Sequence, residues 1–169
     1  MNNCFKIIIG DLFDARGVDY VCHQVNCRGV MGSGIAKAIA DRYPGVKEAY
    51  REMCATHAEN PNGLLGHILA VKPDSDKPGV INIFGQLDYG RDLSQVYTNY
   101  IALKDAFTEI NEVYKGCTIA FPHGFACGLA HGDCDTVEKL MVTYLPDCNV
   151  QIYFKPHGLF FEVKGGDER

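Results

Sequence analysis

No apolar run in this chain approaches the roughly 18–20 residues that a membrane-spanning helix needs, so nothing in it reads as a bilayer anchor. The opening stretch MNNCFKIIIGD places Lys6 before a short apolar run. That run meets Gly10 and Asp11 at once and is too short for the core of a secretion signal. Positive charge is scarce: 16 Lys and Arg stand against 21 Asp and Glu, a net charge of −5. Long-range attraction to nucleic acid or to an anionic lipid surface is not expected from such a balance. An anionic ligand would have to be held by local backbone amides or by a few placed cations. The eight cysteines include no CxxC pair and are scattered through strand-like and helix-like segments. They read as reduced thiols, small buried hydrophobes rather than a disulfide framework. A cytoplasmic monomer is the expectation. No repeat, low-complexity tract or linker interrupts the 169 residues, and 47% of them are hydrophobic. One domain is expected over 1–169, with its core at about 5–156 and a tail at about 157–169.

The pattern of apolar residues gives an alternation of strands and helices. FKIIIGD reads as a strand ending at Asp11, and Val18–Asn26 as a second strand, apolar with a polar tip. Helices are predicted over Ser33–Tyr43, with Ser33 as cap and Pro44 as stop, and over Val46–His57. GHILAVKP and GVINIFGQ follow as two strands joined by a polar turn, Asp74–Lys77. A longer amphipathic helix is predicted over Leu93–Tyr114, then a short apolar strand, CTIAFP, a helix over Asp133–Leu145 and a last core strand, NVQIYFKP. The tail LFFEVKGGDER is read as an added edge strand that frays. Strands apolar on both faces, alternating with helices, indicate an α/β layered fold with a mostly parallel sheet. In such sheets ligands bind beyond the carboxyl ends of the strands.

Two of those ends carry glycine loops. Arg28–Gly34 joins a strand to a helix and holds Gly29, Gly32 and Gly34. FPHGFACGLAHGD, Phe121–Asp133, has the same context and holds Gly124, Gly128 and Gly132. Glycine permits positive φ and close approach of backbone to a ligand, and free amides at a helix start favour an anion. The first loop fits neither GxGxxG nor GK[ST], so it is neither a Rossmann nor a Walker loop. Each loop alone is explained by turn geometry; two together point to a nucleotide diphosphate gripped from both sides.

At these residues the sequence resembles the macrodomain family, modules that bind and process ADP-ribose. The resemblance covers about residues 5–156 and is carried by GDLFD (Gly10–Asp14), VNCRGVMGSGIA (Val25–Ala36), FGQLDYGR (Phe84–Arg91), TNYIAL (Thr98–Leu103) and FPHGFACGLAHGD. The wording of the first loop and of CGLAHGD is most similar to the branch of ADP-ribose-1''-phosphate phosphatases and ADP-ribosyl glycohydrolases. It implies a three-layer α/β/α fold with a mixed, mostly parallel sheet, a small-molecule ligand, no cofactor and no metal. It also implies that Asp11, beside Leu12, receives the adenine amino group and that Asn26 lies at the distal ribose. Gly32, Ser33, Gly34 and Ile35 would form the first phosphate loop, and Pro122, Gly124, Phe125, Ala126, Cys127 and Gly128 the second. Tyr153 or Phe154 would lie near adenine. The sequence departs from the pattern twice. The glycohydrolase lysine falls near Ala40, with Lys37 one turn earlier, and a catalytic acid of one subgroup falls at Ala130.

What remains for catalysis is a short set with competing roles. Asp133 is either a helix cap or a carboxylate beside the distal ribose. His23 is either a core histidine or an acid–base group, depending on strand parity. His123 and His131 flank the second loop, where an imidazole can deliver a proton. Arg91 either pairs with phosphate or forms a surface ion pair with Asp88 or Asp92. Cys127, His131 and Cys134 look superficially like zinc ligands, but the spacing matches no standard site and a fourth ligand is missing. The expectation is hydrolysis of a group at C1'' of the distal ribose, first the phosphate of ADP-ribose-1''-phosphate and second an ADP-ribosyl link. Asp133, His123 and His23 are the candidate catalytic residues. The competing expectation is a non-catalytic reader of ADP-ribosylated macromolecules, or a protein that sequesters NAD-derived nucleotides.

Overall fold

The computed structural model describes residues 5–72 and 76–156. The tail strand and half of the Asp74–Lys77 turn lie outside them. Among the described residues six strands form one mixed sheet: β1 (Phe5–Ile9), β2 (Tyr20–Asn26), β3 (Ile68–Val71), β4 (Gly79–Gln86), β5 (Thr118–Pro122) and β6 (Asn149–Phe154). Their order is β1-β6-β5-β2-β4-β3. All neighbours run parallel except β3, which pairs antiparallel with β4 because the two are joined directly rather than through a helix.

The helices are α1 (Gly34–Arg42), α2 (Val46–Thr56), α3 (Tyr100–Val113) and α4 (Cys134–Tyr144). Ile39 of α1 and Val46, Tyr50 and Cys54 of α2 pack on one face of the sheet, against Val21, Val25, Val80 and Phe84. Leu103, Phe107 and Ile110 of α3, with Val137 and Met141 of α4, pack on the other, against Cys22, Ile81, Ile119 and Ile152. The central strands are therefore covered on both sides, and β2 and β4 are buried almost throughout. Full burial of each large aliphatic or aromatic side chain contributes about 1.5–3 kcal/mol, so these two layers are the main source of stability.

One predicted element is too long. The helix expected from Leu93 begins at Tyr100, because residues 95–99 spend their backbone groups elsewhere. Tyr97 N and Thr98 N both donate to Ala130 O, at 2.9 and 3.1 Å, and Asn99 N donates to Gly85 O at 2.8 Å. Asn99 then caps α3, its side chain accepting from Ala102 N at 3.0 Å. Leu93, where the helix was expected to start, and Val96 stay exposed. Two short 3-10 turns, Leu12–Asp14 and Pro61–Leu64, have no counterpart in the sequence reading. Among the described residues no helix is long and apolar enough to cross a membrane.

Candidate functional site

Beyond the carboxyl ends of β2, β4 and β5 lies a cleft of about 690 Å³, within the range of small-molecule sites. Gln24, Asn26 and Gln86 line its base. Its walls are the first glycine loop with the start of α1, the segment Tyr89–Arg91 after β4, and the second glycine loop from Pro122 to Ala130. Among the described residues that line it none is Asp or Glu, and Arg91 and His123 are the basic side chains. In a chain of net charge −5, a cleft without carboxylates is a local exception in favour of an anion.

The first loop is shaped by Asn26. Its Oδ1 accepts from Arg28 N at 2.9 Å, Val30 N at 3.3 Å and the Tyr50 hydroxyl at 2.8 Å, and its Nδ2 donates to Val30 O at 2.8 Å. Tyr50 is fully buried and also reaches Asn26 O at 2.7 Å, so α2 anchors the loop through one phenol. The chain then enters α1. Ser33 is extended, and its hydroxyl makes no capping bond. The first amides of α1 are left for an external acceptor, with the positive end of the helix dipole behind them. Gly34 has φ +57°, and Leu129 Cδ1 lies 3.5 Å from where its Cβ would stand.

The second loop holds two non-glycine residues in the left-handed region, Ala126 at φ +62° and His131 at φ +54°. Such conformations persist where the surroundings over-determine them. Ala126 O accepts from the Thr98 hydroxyl at 2.7 Å and from Gly132 N at 3.0 Å. A Cβ on Gly132 would collide with that same oxygen. His131 Nδ1 donates to Gln95 O at 2.7 Å. The Phe125 ring packs into the core against Phe107 and Phe121.

A buried amide ties the walls together. Gln24 Nε2 donates to Gln86 Oε1 at 2.8 Å and to Thr98 Oγ1 at 3.2 Å, linking β2, β4 and the α3 entry to Ala126. Sequence reasoning passed over Gln24, Gln86 and Thr98. The available signal was a glutamine, between His23 and Asn26, in a strand expected to be covered on both faces.

The candidate residues are only partly brought together. Asn26, Gly32, Ser33, Gly34, Ile35, Pro122, His123, Gly124, Phe125, Ala126 and Gly128 line the cleft. Asp11, Leu12, Cys127, Tyr153, Phe154, His23 and Asp133 do not. Leu12 is core, and Tyr153 is buried with its hydroxyl donating to Gln151 Oε1 at 3.0 Å. Asp11 caps the turn at Phe13 and pairs with Lys155 at 2.6 Å, which holds its carboxyl below the usual range. Phe154 meets the His123 ring edge to face at 4.8 Å, so His123 sits on the β6 side of the cleft.

His23 is fully buried in the α1/α2 layer. Asn82 Nδ2 donates to Leu69 O, so its Oδ1 accepts from His23 Nε2–H at 2.7 Å. Burial lowers the His23 pKa to about 4, so the imidazole is neutral. Strand parity therefore turns His23 into the core, away from the lining of the cleft. Asp133 caps α4, its Oδ2 accepting from the Thr136 hydroxyl and from Thr136 N at 2.8 Å, and these two bonds lower its pKa. It is exposed and outside the cleft lining, so the structure supports its cap role. Burial pushes the Cys127 thiol up to about 12, which removes it as a nucleophile near neutrality. Lys37 pairs with Asp41 at 2.6 Å on the exposed face of α1 and does not line the cleft. Among the described residues no three His, Cys, Asp or Glu side chains gather where they could share a metal ion.

Comparison with known proteins gives the following. No family model matches the chain. A protein of Neosartorya fischeri named ADP-ribose 1''-phosphate phosphatase is 43% identical over 141 residues, covering 64% of this chain and 70% of that protein. One of Meyerozyma guilliermondii with the same name is 39% identical over 74 residues, 43% of this chain and 42% of that protein. The chain thus spans less than half the length of that second relative in the match. Among solved structures, the macrodomain of Mycobacterium tuberculosis DarG superimposes with a TM-score of 0.70 at 27% identity, over 92% of this chain and 99% of that one. Sheet order, paired glycine loops and these likenesses agree: the chain belongs to the macrodomain family.

Proposed function

We propose that the chain binds ADP-ribose and hydrolyses ADP-ribose-1''-phosphate to ADP-ribose and inorganic phosphate. The observation that carries this reading is the carboxylate-free cleft between two amide-bearing loops in an acidic protein. The names of the relatives support the choice of substrate. The adenine lies towards β6, where half-exposed Phe154 offers an aromatic face and Asp11 an acceptor. The diphosphate spans the free amides at the start of α1 and the backbone of Gly124–Gly128. The distal ribose then falls over β2 and β4, beside Asn26, and its C1'' phosphate beyond it.

Hydrolysis of a phosphomonoester places little covalent demand on the protein. Charge stabilisation and positioning carry most of the rate. Water attacks phosphorus, the bond from phosphorus to O1'' breaks, and O1'' takes up a proton. His123, on the base side, serves binding of the nucleotide in this arrangement.

The test is incubation with ADP-ribose-1''-phosphate, with phosphate release measured for the parent and for His123→Ala. The parent should release phosphate. His123→Ala should weaken ADP-ribose binding more than it lowers kcat. A kcat loss of about 10²–10⁴ with unchanged affinity would instead make His123 the general acid. The placement of His23 and Asp133 away from the cleft favours a second reading, a non-catalytic reader. It takes over if ADP-ribose binds and the parent releases no phosphate.

A further inference from the structure

Arg91 is the guanidinium on the cleft wall, and the structure gives its two sequence neighbours other partners. Asp88 Oδ1 accepts from Arg28 Nε at 2.6 Å. Asp92 Oδ1 accepts from Ser94 N at 2.9 Å and from Ser94 Oγ at 2.7 Å. Among the described residues the cleft lining offers no carboxylate and Arg91 forms no ion pair. A permanently charged, planar set of five donors without a counter-ion, facing a cleft, suits a phosphate.

The segment that carries Arg91 is fixed in place. Cys27 N donates to Leu87 O at 3.1 Å, and Gln86 Nε2 donates to Asp88 O at 2.7 Å. The Arg28–Asp88 pair joins the segment to the first glycine loop. Gly90 packs directly under the Tyr97 hydroxyl, in space a Cβ would need. Arg91 therefore stands on a braced turn.

Position decides which phosphate it meets. The sheet order puts β2 between β5 and β4. The two glycine loops leave β2 and β5, whereas Arg91 follows β4, on the side away from β6. A nucleotide with its base towards β6 and its diphosphate between the loops presents its far end to Arg91.

We infer that Arg91 forms a terminal phosphomonoester subsite that distinguishes ADP-ribose-1''-phosphate from ADP-ribose. This rests on the orientation given under the proposed function. The subsite adds donors for the dianion and draws charge off the equatorial oxygens as the bond to O1'' breaks.

The test compares the parent, Arg91→Ala and Arg91→Lys with two ligands. Calorimetry gives the ADP-ribose affinity. For ADP-ribose-1''-phosphate, phosphate release gives KM where turnover occurs, and calorimetry gives Kd where it does not. Arg91→Ala should weaken the phosphorylated ligand about 10–100-fold, the range for a charge-assisted hydrogen bond. Its ADP-ribose affinity should stay within about twofold, and Arg91→Lys should recover part of the loss, since a point charge without the fork still attracts phosphate. Equal weakening of both ligands would place Arg91 on the diphosphate and overturn the inference; so would no change in either. A parent that binds both ligands but releases no phosphate refutes the hydrolase reading alone, because the difference between the two ligands still tests Arg91.

Discussion

His23 provides a direct handle on how the core depends on pH. Its imidazole is fully buried with one hydrogen bond, to Asn82, and its pKa falls from the usual 6.5 to about 4 because burial disfavours the cation. The unfolded chain binds a proton here below about pH 6.5, whereas the folded chain resists until about pH 4. Stability from this group is thus fully present above pH 6.5 and is lost as pH falls towards 4. At about 1.36 kcal/mol per pKa unit, linkage gives a loss of roughly 2 kcal/mol at pH 5 relative to pH 7.5. Urea denaturation at both pH values, on the parent and on His23→Gln, isolates the effect. Glutamine can still donate to Asn82 but cannot titrate. All other groups titrate alike in both proteins, so the parent should lose about 2 kcal/mol more than the variant. Equal losses would refute the argument that His23 is neutral and desolvated.

Two further outcomes follow from the site. Asp133→Ala should lower the urea midpoint by removing the cap on Thr136 N, whereas Asp133→Ser should restore it. Neither should change phosphate release more than about threefold, since a residue outside the cleft has no contact with charge developing in the transition state. Gly34→Val forces a β-branched residue into φ +57° and towards Leu129. That should cost about 1–2 kcal/mol of stability and weaken ADP-ribose binding, read by thermal shift and calorimetry.

The layers of the fold were legible because each strand and helix announces itself by local periodicity. The glycine loops were legible because their residue types answer a local backbone demand at a strand-to-helix junction. What the sequence hid is what long-range pairing decides. Gln24 meets Gln86 and Thr98 across separations of 62 and 74 residues, which no local pattern records. The apolar residues at 93–97 imitate a helix, yet Tyr97 and Thr98 are claimed by Ala130 of the second loop. Strict alternation would put His23 and Asn26, three residues apart, on opposite faces of β2. The register shifts between Val25 and Asn26, so the strand alternation that buries His23 does not carry through to Asn26 at the cleft. Asp133 reads the same in sequence whether it caps or catalyses. Its capping bond to Thr136 N and its place outside the cleft lining favour the cap.

The most direct test of the central claim is to follow backbone amide resonances while ADP-ribose is titrated in. The account predicts saturable one-to-one binding, with the largest shifts at Gly32–Ile35 and Gly124–Gly128, where free amides meet the diphosphate. Shifts clustered away from both loops, or no shifts at millimolar ligand, would contradict it.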